Sequence, residues 1–253
     1  METDNKVALE DKAKEQLESF ISDCGTGDLA GKRVLEIGFK NGLLLNELDK
    51  AGVKATGLEI NSKLYDSVRE KFRDFDIVLY DGKKLPMADE SFDYVVSYQV
   101  LEHVESLRDI FDECVRVLRP GGIMYHICPN YFSFYEGHYR VIWFPLFNKF
   151  LGRLYLKLFR CYTQYYETLN IIKPNTVMGS LKQHKNITIL SLGKAEFISK
   201  FSIKQIEKVK LKLLRKILKI VQKAGPMQKA VLAIIVYLNL YYPLTIIARK
   251  DKP

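Results

Sequence analysis

The chain has 253 residues, 47% of them hydrophobic, and a net charge of +9. That is enough for one domain with an insertion and ample apolar material for a core. The four cysteines, Cys24, Cys114, Cys128 and Cys161, are scattered with no C-x-x-C pair. This argues for reduced thiols in a cytosolic protein and against a metal site. The charged run after Met1 does not read as a secretory signal.

In chain order, residues 6–21 read as an amphipathic helix with Leu9, Ala13, Leu17, Phe20 and Ile21 on one side. A loop, Cys24-Gly25-Thr26-Gly27-Asp28, ends it. Residues 33–38 form the first strand, in which Val34, Leu35 and Ile37 interleave with Glu36 and run into Gly38 and Gly42. A helix follows to Lys50, closed by Ala51-Gly52. Strands at 54–60, 76–80, 92–97 and 123–128 alternate with helices at about 62–73 and 105–118. The last of these helices points Ile110, Phe111, Cys114, Val117 and Leu118 inward. It stops at Arg119-Pro120-Gly121-Gly122, where proline and glycine forbid continuation. Alternating strand and helix imply a doubly wound α/β fold with a mostly parallel sheet.

The first strand, its glycine turn and the next helix form the unit around which the chain is organised. Such a turn lies at the carboxyl end of a strand, where ligands of open α/β sheets bind. Its spacing, Glu-x-Gly-x-x-x-Gly, differs from the G-x-G-x-x-G of a dinucleotide turn. An adjacent carboxylate disfavours a pyrophosphate and suits a cationic or hydroxyl-bearing ligand. Both features argue against a dinucleotide oxidoreductase.

Residues 131–166 break the alternation, with fourteen of the chain's thirty aromatic residues in thirty-six positions. A short helix near 174–183 and a strand near 186–192 follow. From Lys200 to Lys223 there are nine Lys/Arg and one acid, Glu207. Residues 231–242 are almost wholly apolar and read as a buried helix, and 244–250 as a closing strand. The division is one domain over 1–253, with an N-terminal helical cap at 1–30, an aromatic-rich insertion at 131–183, and basic amphipathic and apolar helices at 200–243.

Six stretches, in this order, resemble the class I S-adenosylmethionine-dependent methyltransferases. They are Val34-Leu35-Glu36-Ile37-Gly38-x3-Gly42, Glu59 after the second strand, Asp81 after the third, and Ser91-Phe92-Asp93-Tyr94-Val95-Val96. Val100-Leu101-Glu102-His103-Val104 and Leu118-Arg119-Pro120-Gly121-Gly122 complete the set. The resemblance implies a seven-stranded Rossmann-like fold whose seventh, antiparallel strand is 244–250, with S-adenosylmethionine as cofactor. It places Glu36 and Gly38 at the amino-acid end of that cofactor and Glu59 at its ribose hydroxyls, with Phe39, Gly42 and Ile60 among the cofactor-binding residues. Asp81, with Gly82 beside it, falls at the adenine amino group, and Tyr98 and Gln99 along the cofactor's edge. Lys40 stands where the family usually has glycine. This keeps open a non-catalytic module that has lost or retains cofactor binding.

Within the insertion, residues 128–139 resemble the loop after the fifth strand in bacterial methyltransferases of surface-glycan and lipid-linked pathways. The resemblance implies that this loop shapes an acceptor pocket, with O-methylation of a glycan, lipid-linked or small-molecule acceptor. His138 and Glu136 are the candidate acceptor contacts, and His103 is a third candidate catalytic residue. Histidine suits a general base because its ordinary pKa, about 6.5, lies near working pH. A structural histidine bonded to a backbone carbonyl is the alternative for His138. His126 reads as core, and His184 as an exposed loop residue without a role. No His/Cys/Asp set has metal-ligand spacing.

On a helix, Lys149, Arg153, Lys157 and Arg160 fall in one stripe, with Phe147, Phe150, Leu151, Leu154, Leu158 and Phe159 covering the rest. The residues from 202 to 223 repeat the pattern. Two readings follow: helices packed on the domain with solvated basic faces, or faces for an anionic membrane surface. The expected place is cytoplasmic, at the inner face of the membrane under the second reading. A nucleic-acid methyltransferase is weaker, because residues 200–223 hold one aromatic, Phe201.

Overall fold

A computed structural model describes residues 2–200, 212–223 and 225–253. In chain order the elements are α1 (Glu2–Cys24), β1 (Arg33–Ile37), α2 (Leu43–Lys50), β2 (Lys54–Glu59), α3 (Ser62–Lys71), β3 (Asp76–Leu79) and β4 (Phe92–Tyr98). A 3-10 turn at Leu101–His103 precedes α4 (Leu107–Val117) and β5 (Leu118–Cys128). Then come β6 (Tyr135–Glu136), β7 (Val141–Ile142), α5 (Lys149–Leu158), α6 (Tyr165–Thr168), α7 (Pro174–Leu181) and β8 (Ile187–Ser191). The chain closes with α8 (Lys194–Lys200), α9 (Lys212–Lys223), α10 (Pro226–Tyr237) and β9 (Leu244–Lys250). The part of the expected basic helix at 201–211 lies outside the described residues.

Seven strands make one sheet in the order β3-β2-β1-β4-β5-β9-β8. β1 pairs in parallel with β2 and with β4, and β2 pairs in parallel with β3. Val34, Leu35, Ile37, Leu58, Val95 and Val96 are buried. Central parallel strands are covered on both faces and so read as near-continuous apolar runs. α4 starts where the Ser106 hydroxyl accepts a hydrogen bond from the Asp109 amide at 3.2 Å. It buries Ile110, Phe111, Cys114, Val115 and Val117 on one face.

Three expectations are corrected here. The fifth strand starts at Leu118, not at 123, and runs straight through Pro120-Gly121-Gly122. Glycine permits this: a Cβ on Gly122 would stand 3.0 Å from the Asp93 carbonyl oxygen. The apolar 231–242 stretch is not a buried helix, because α10 buries Leu232 while Ile234 and Tyr237 are exposed. His184 is not on the open surface; it is half-buried, with Nε2 3.1 Å from the Asp112 carboxylate. Among the described residues no helix is long and apolar enough to cross a membrane.

The chain divides into two compact units. One is Met1–His126 with Ser180–Leu190 and Ile246–Pro253; the other is Ile127–Gly179 with Ser191–Thr245. The first holds most of the sheet. The second has an aromatic core of its own, built from Tyr131, Trp143, Leu156, Tyr166 and Leu169. Trp143 meets Tyr131 edge-on at 5.7 Å and Phe147 at 5.2 Å. The aromatic density of 131–166 therefore builds packing in the second unit. α5 enters this core through Gly152 and Leu156, because a Cβ at Gly152 would collide with Trp143 and Tyr166.

Candidate active site

The turn after β1 takes left-handed backbone at three of five positions: Gly38 (φ 76°), Lys40 (φ 53°) and Gly42 (φ 70°). Two are glycines, for which this costs little. Lys40 pays about 1–2 kcal/mol for it. What holds Lys40 there is Glu59 at the end of β2. Its Oε2 accepts the Lys40 amide proton at 3.1 Å, while Oε1 accepts from the Ile60 and Asn61 amides at 2.9 and 3.1 Å. The turn thus keeps its shape without the usual glycine, and the Lys40 side chain is exposed. A carboxylate offers about four acceptor positions. Three are used by the chain itself, which leaves room for one more hydrogen bond, on Oε2.

Glu36 lies within β1 and is only 5% exposed. Its Oε2 has no hydrogen-bond partner among the described residues. Burial, reinforced by the charge of Glu59, pushes its carboxyl up to about 8 against an opposing pull from Lys40. An orphaned buried carboxylate oxygen beside a second carboxylate calls for a cation.

The remaining candidates lie around this turn as follows. The Phe39 ring is buried with Leu45, Val68 and Ile77. Asp81 is exposed, and its Oδ1 accepts from the Lys83 amide at 3.0 Å. Gly82 (φ 81°) is close to Ile60, an exposed apolar side chain. The buried Tyr98 donates its hydroxyl proton to the Gln16 carbonyl at 2.8 Å, tying β4 to α1, and Gln99 (φ 57°) is half-buried. His103 is exposed on its 3-10 turn. Two partners escaped the sequence reading. One is Val100, whose Cγ2 would meet a Cβ on Gly38 at 2.6 Å; the other is the Lys40 amide. Neither backbone donation nor packing onto a glycine leaves a mark in one sequence.

A cavity of about 550 Å³ lies at the amino ends of β1–β3, lined by Arg33, Lys54, Asp76 and Arg119. Ligands of parallel α/β sheets bind at the opposite, carboxyl ends. The glycine turn is therefore the candidate site.

In the second unit, β6 and β7 pair as a hairpin, Tyr135 opposite Ile142 and Glu136 opposite Val141. The hairpin holds Glu136 buried and leaves His138 in the connecting loop. His138 Nδ1 is 2.8 Å from Glu136 Oε1, which also accepts the Tyr131 hydroxyl at 3.1 Å. Glu136 Oε2 accepts the Tyr139 amide at 2.6 Å. The His138 ring stands edge-on to Tyr165, with centroids 5.7 Å apart. This is a histidine oriented by a buried carboxylate, the arrangement of a positioned base. Tyr131, five residues before Glu136, was not visible as a member of the group. His126 is buried, with Nδ1 2.8 Å from Ser97 Oγ, and burial drives its pKa down to about 3.

A seven-stranded, mostly parallel sheet with a Glu-x-Gly turn at β1 and an acid closing β2 defines the class. It is the Rossmann-like fold of the class I S-adenosylmethionine-dependent methyltransferases. Residues 35–126 match the model of a family described as a methyltransferase domain. Over 108 residues the chain is 34% identical to a probable S-adenosylmethionine-dependent methyltransferase of Mycolicibacterium smegmatis, covering 43% of this chain and 42% of that one. Over 101 residues it is 32% identical to a ubiquinone biosynthesis O-methyltransferase of Agrobacterium fabrum, covering 38% and 40%. The chain thus spans about two fifths of the length of these relatives. Among solved structures, an S-adenosylmethionine-dependent methyltransferase from Mesorhizobium loti superposes with a TM-score of 0.58 at 19% identity, over 88% of this chain and 93% of that one. Haemonchus contortus phosphoethanolamine N-methyltransferase 2, in complex with S-adenosyl-L-methionine, gives 0.57 at 15% identity, over 95% and 53%. These structural likenesses establish the fold. The sequence likeness to methyltransferase domains lies within residues 35–126.

The turn fits that cofactor. The orphaned Glu36 oxygen suits an ammonium or sulfonium cation, and the remaining acceptor position on Glu59 suits a ribose hydroxyl.

Proposed function

We propose that this chain transfers a methyl group from S-adenosylmethionine to a hydroxyl oxygen of a small-molecule, glycan or lipid-linked acceptor. The observation that carries the reading is the paired carboxylates at the glycine turn: Glu36, buried with an unpartnered oxygen, and Glu59, holding the turn through Lys40. S-adenosylmethionine, when bound, supplies an electrophilic methyl on a sulfonium. Glu36 balances its positive charge, Glu59 accepts from its ribose, and Asp81 is the acceptor for its adenine amino group. His138 takes the acceptor's hydroxyl proton. Its Nδ1 faces Glu136 Oε1 at 2.8 Å, which orients the ring. Glu136 then stabilises the imidazolium that forms. The chemistry the bound cofactor would supply is transfer of that methyl to the acceptor oxygen, with the carbon–sulfur electron pair remaining on sulfur. The relative named as a ubiquinone biosynthesis O-methyltransferase supports an oxygen acceptor, and the resemblance read from the sequence of 128–139 is what motivates a glycan or lipid-linked one.

The test is calorimetric binding of S-adenosylmethionine, its demethylated product and NAD, followed by transfer of labelled methyl to a panel of phenolic and sugar hydroxyls. Binding of the first two and not of NAD, with label on oxygen, is the expected result. Absence of binding to the first two removes the enzyme reading in favour of a non-catalytic module.

A further inference from the structure

The positive charge of this chain is segregated. The unit Ile127–Gly179 with Ser191–Thr245 carries seventeen Lys/Arg and four Asp/Glu, net +13, so the remainder of the chain is net −4. The same unit exposes apolar helix surface. On α5, Phe150, Leu151, Leu154 and Leu158 fall within an arc of about 100°. All four are exposed, Leu154 by 57% and Leu158 by 76%. Leu146 before the helix, 82% exposed, and Phe159 after it extend the patch.

The basic stripe on α5 does not face solvent as an independent feature. Lys149 donates to the carbonyls of Tyr166 and Leu169, Arg153 grips Glu167 with two hydrogen bonds of 2.7 Å, and Lys157 lies over the Tyr162 ring at 5.1 Å. These contacts fix the helix so that its apolar arc is turned away from its own core. α9 adds five Lys/Arg and no acid in twelve residues, and α10 exposes Ile234 and Tyr237.

Exposed apolar side chains grouped on one helix face, rather than scattered singly, mark an interaction surface. A strand of nucleic acid would be met by stacking aromatics interleaved with basic groups; here the patch is mostly aliphatic and the neighbouring cations are bound to their own chain. An apolar helix face on a strongly cationic unit is the pattern of an interfacial helix on anionic lipid. We propose that this unit docks on an anionic lipid bilayer, with the Phe150–Leu154–Leu158 face of α5 entering the headgroup boundary and the unit's positive charge drawing it there.

The test is cosedimentation of the full chain with vesicles of equal parts phosphatidylglycerol and phosphatidylcholine, against phosphatidylcholine alone. Expected is binding to the mixed vesicles at least about tenfold stronger than to neutral ones. Raised salt should weaken it, because charge attraction fades beyond a Debye length of ~8 Å. Leu154→Glu with Leu158→Glu should lower it at least about tenfold while leaving the thermal midpoint unchanged, since both sites are exposed. Phe150→Trp should shift its emission to the blue on mixed vesicles, against the constant background of the buried Trp143. A wild type that stays in the supernatant at low salt, undiminished binding by the double variant, or an unshifted Phe150→Trp spectrum each overturns the proposal.

Discussion

Glu36→Gln tests the logic of the glycine turn. From its ordinary 4.5 up to about 8, the Glu36 carboxyl holds its proton in the native state while the unfolded chain has lost it. The unfolded state binds fewer protons over that window. Stability must therefore fall as pH rises through it, by about 1.4 kcal/mol per unit. Between pH 5 and pH 7 the loss is on the order of 3 kcal/mol, with no further loss above about 8. Glutamine has no proton to lose, so the variant lacks this slope. Denaturant melts of the ligand-free wild type and variant, taken from pH 5 to 8, isolate it, because groups remote from the turn cancel in the difference. The same residue predicts a linkage in binding. A cationic ligand favours the ionised carboxylate, so wild-type affinity for S-adenosylmethionine should rise with pH towards about 8. At pH 7 most of one proton should be released, as read by calorimetry in buffers of different ionisation enthalpy. The variant should release almost none and bind at least about tenfold more weakly at pH 8, having lost a charged partner. Parallel stability curves and equal proton release in the two proteins would refute the assignment.

Glu59→Gln keeps the side chain's length but turns one amide donor against backbone N–H groups. It should loosen the Lys40 turn and weaken S-adenosylmethionine binding about tenfold to a hundredfold in calorimetry. Lys40→Gly relieves left-handed strain but frees the unfolded chain, so chemical denaturation should show a change within about 1 kcal/mol; in the same variant, loss of the lysine charge should push the Glu36 transition to higher pH. His138→Ala should cut methyl transfer by about 10²–10⁴ while cofactor affinity stays within a few-fold, and an unchanged rate would remove it as the base. Gly152→Ala forces a methyl into Trp143 and Tyr166 and should cost about 1–3 kcal/mol of stability in denaturant melts.

The sheet was legible because its signal is local and repeated. β1, β2 and β3 each end at or beside a glycine or an acid, and helices of regular period follow β1, β2 and β4. The positions of Glu36, Glu59 and Asp81 follow from that frame, since strand ends are marked by the turn residues beside them. What was not legible is what those side chains touch. The sequence makes Glu59 a ribose ligand with two acceptor oxygens; the structure fills three of its positions with backbone amides, one of them from Lys40. The residue that seemed to threaten the turn is held in it by the residue expected to bind ligand. The strand start at Leu118 escaped for a related reason. A Pro-Gly-Gly run reads as a break, and only the approach of the Asp93 carbonyl to Gly122 shows why a strand passes through it.

α5 shows the limit of amphipathic reasoning most sharply. A helix with a basic stripe and a broad apolar face is expected to bury the apolar face. Here the choice is made by one glycine. Gly152 lets the helix backbone come up against Trp143 and Tyr166, so the buried side is Gly152 and Leu156. The basic stripe follows on the flank towards α6, where Glu167 and the carbonyls of Tyr166 and Leu169 accept it. Once those contacts are made, geometry leaves Phe150, Leu154 and Leu158 nowhere to go but outward. Leaving that much apolar surface in water forgoes about 25 cal/mol for every Å² that could have been covered. A chain that spends several cationic side chains on fixing such an orientation has a face for something apolar to meet.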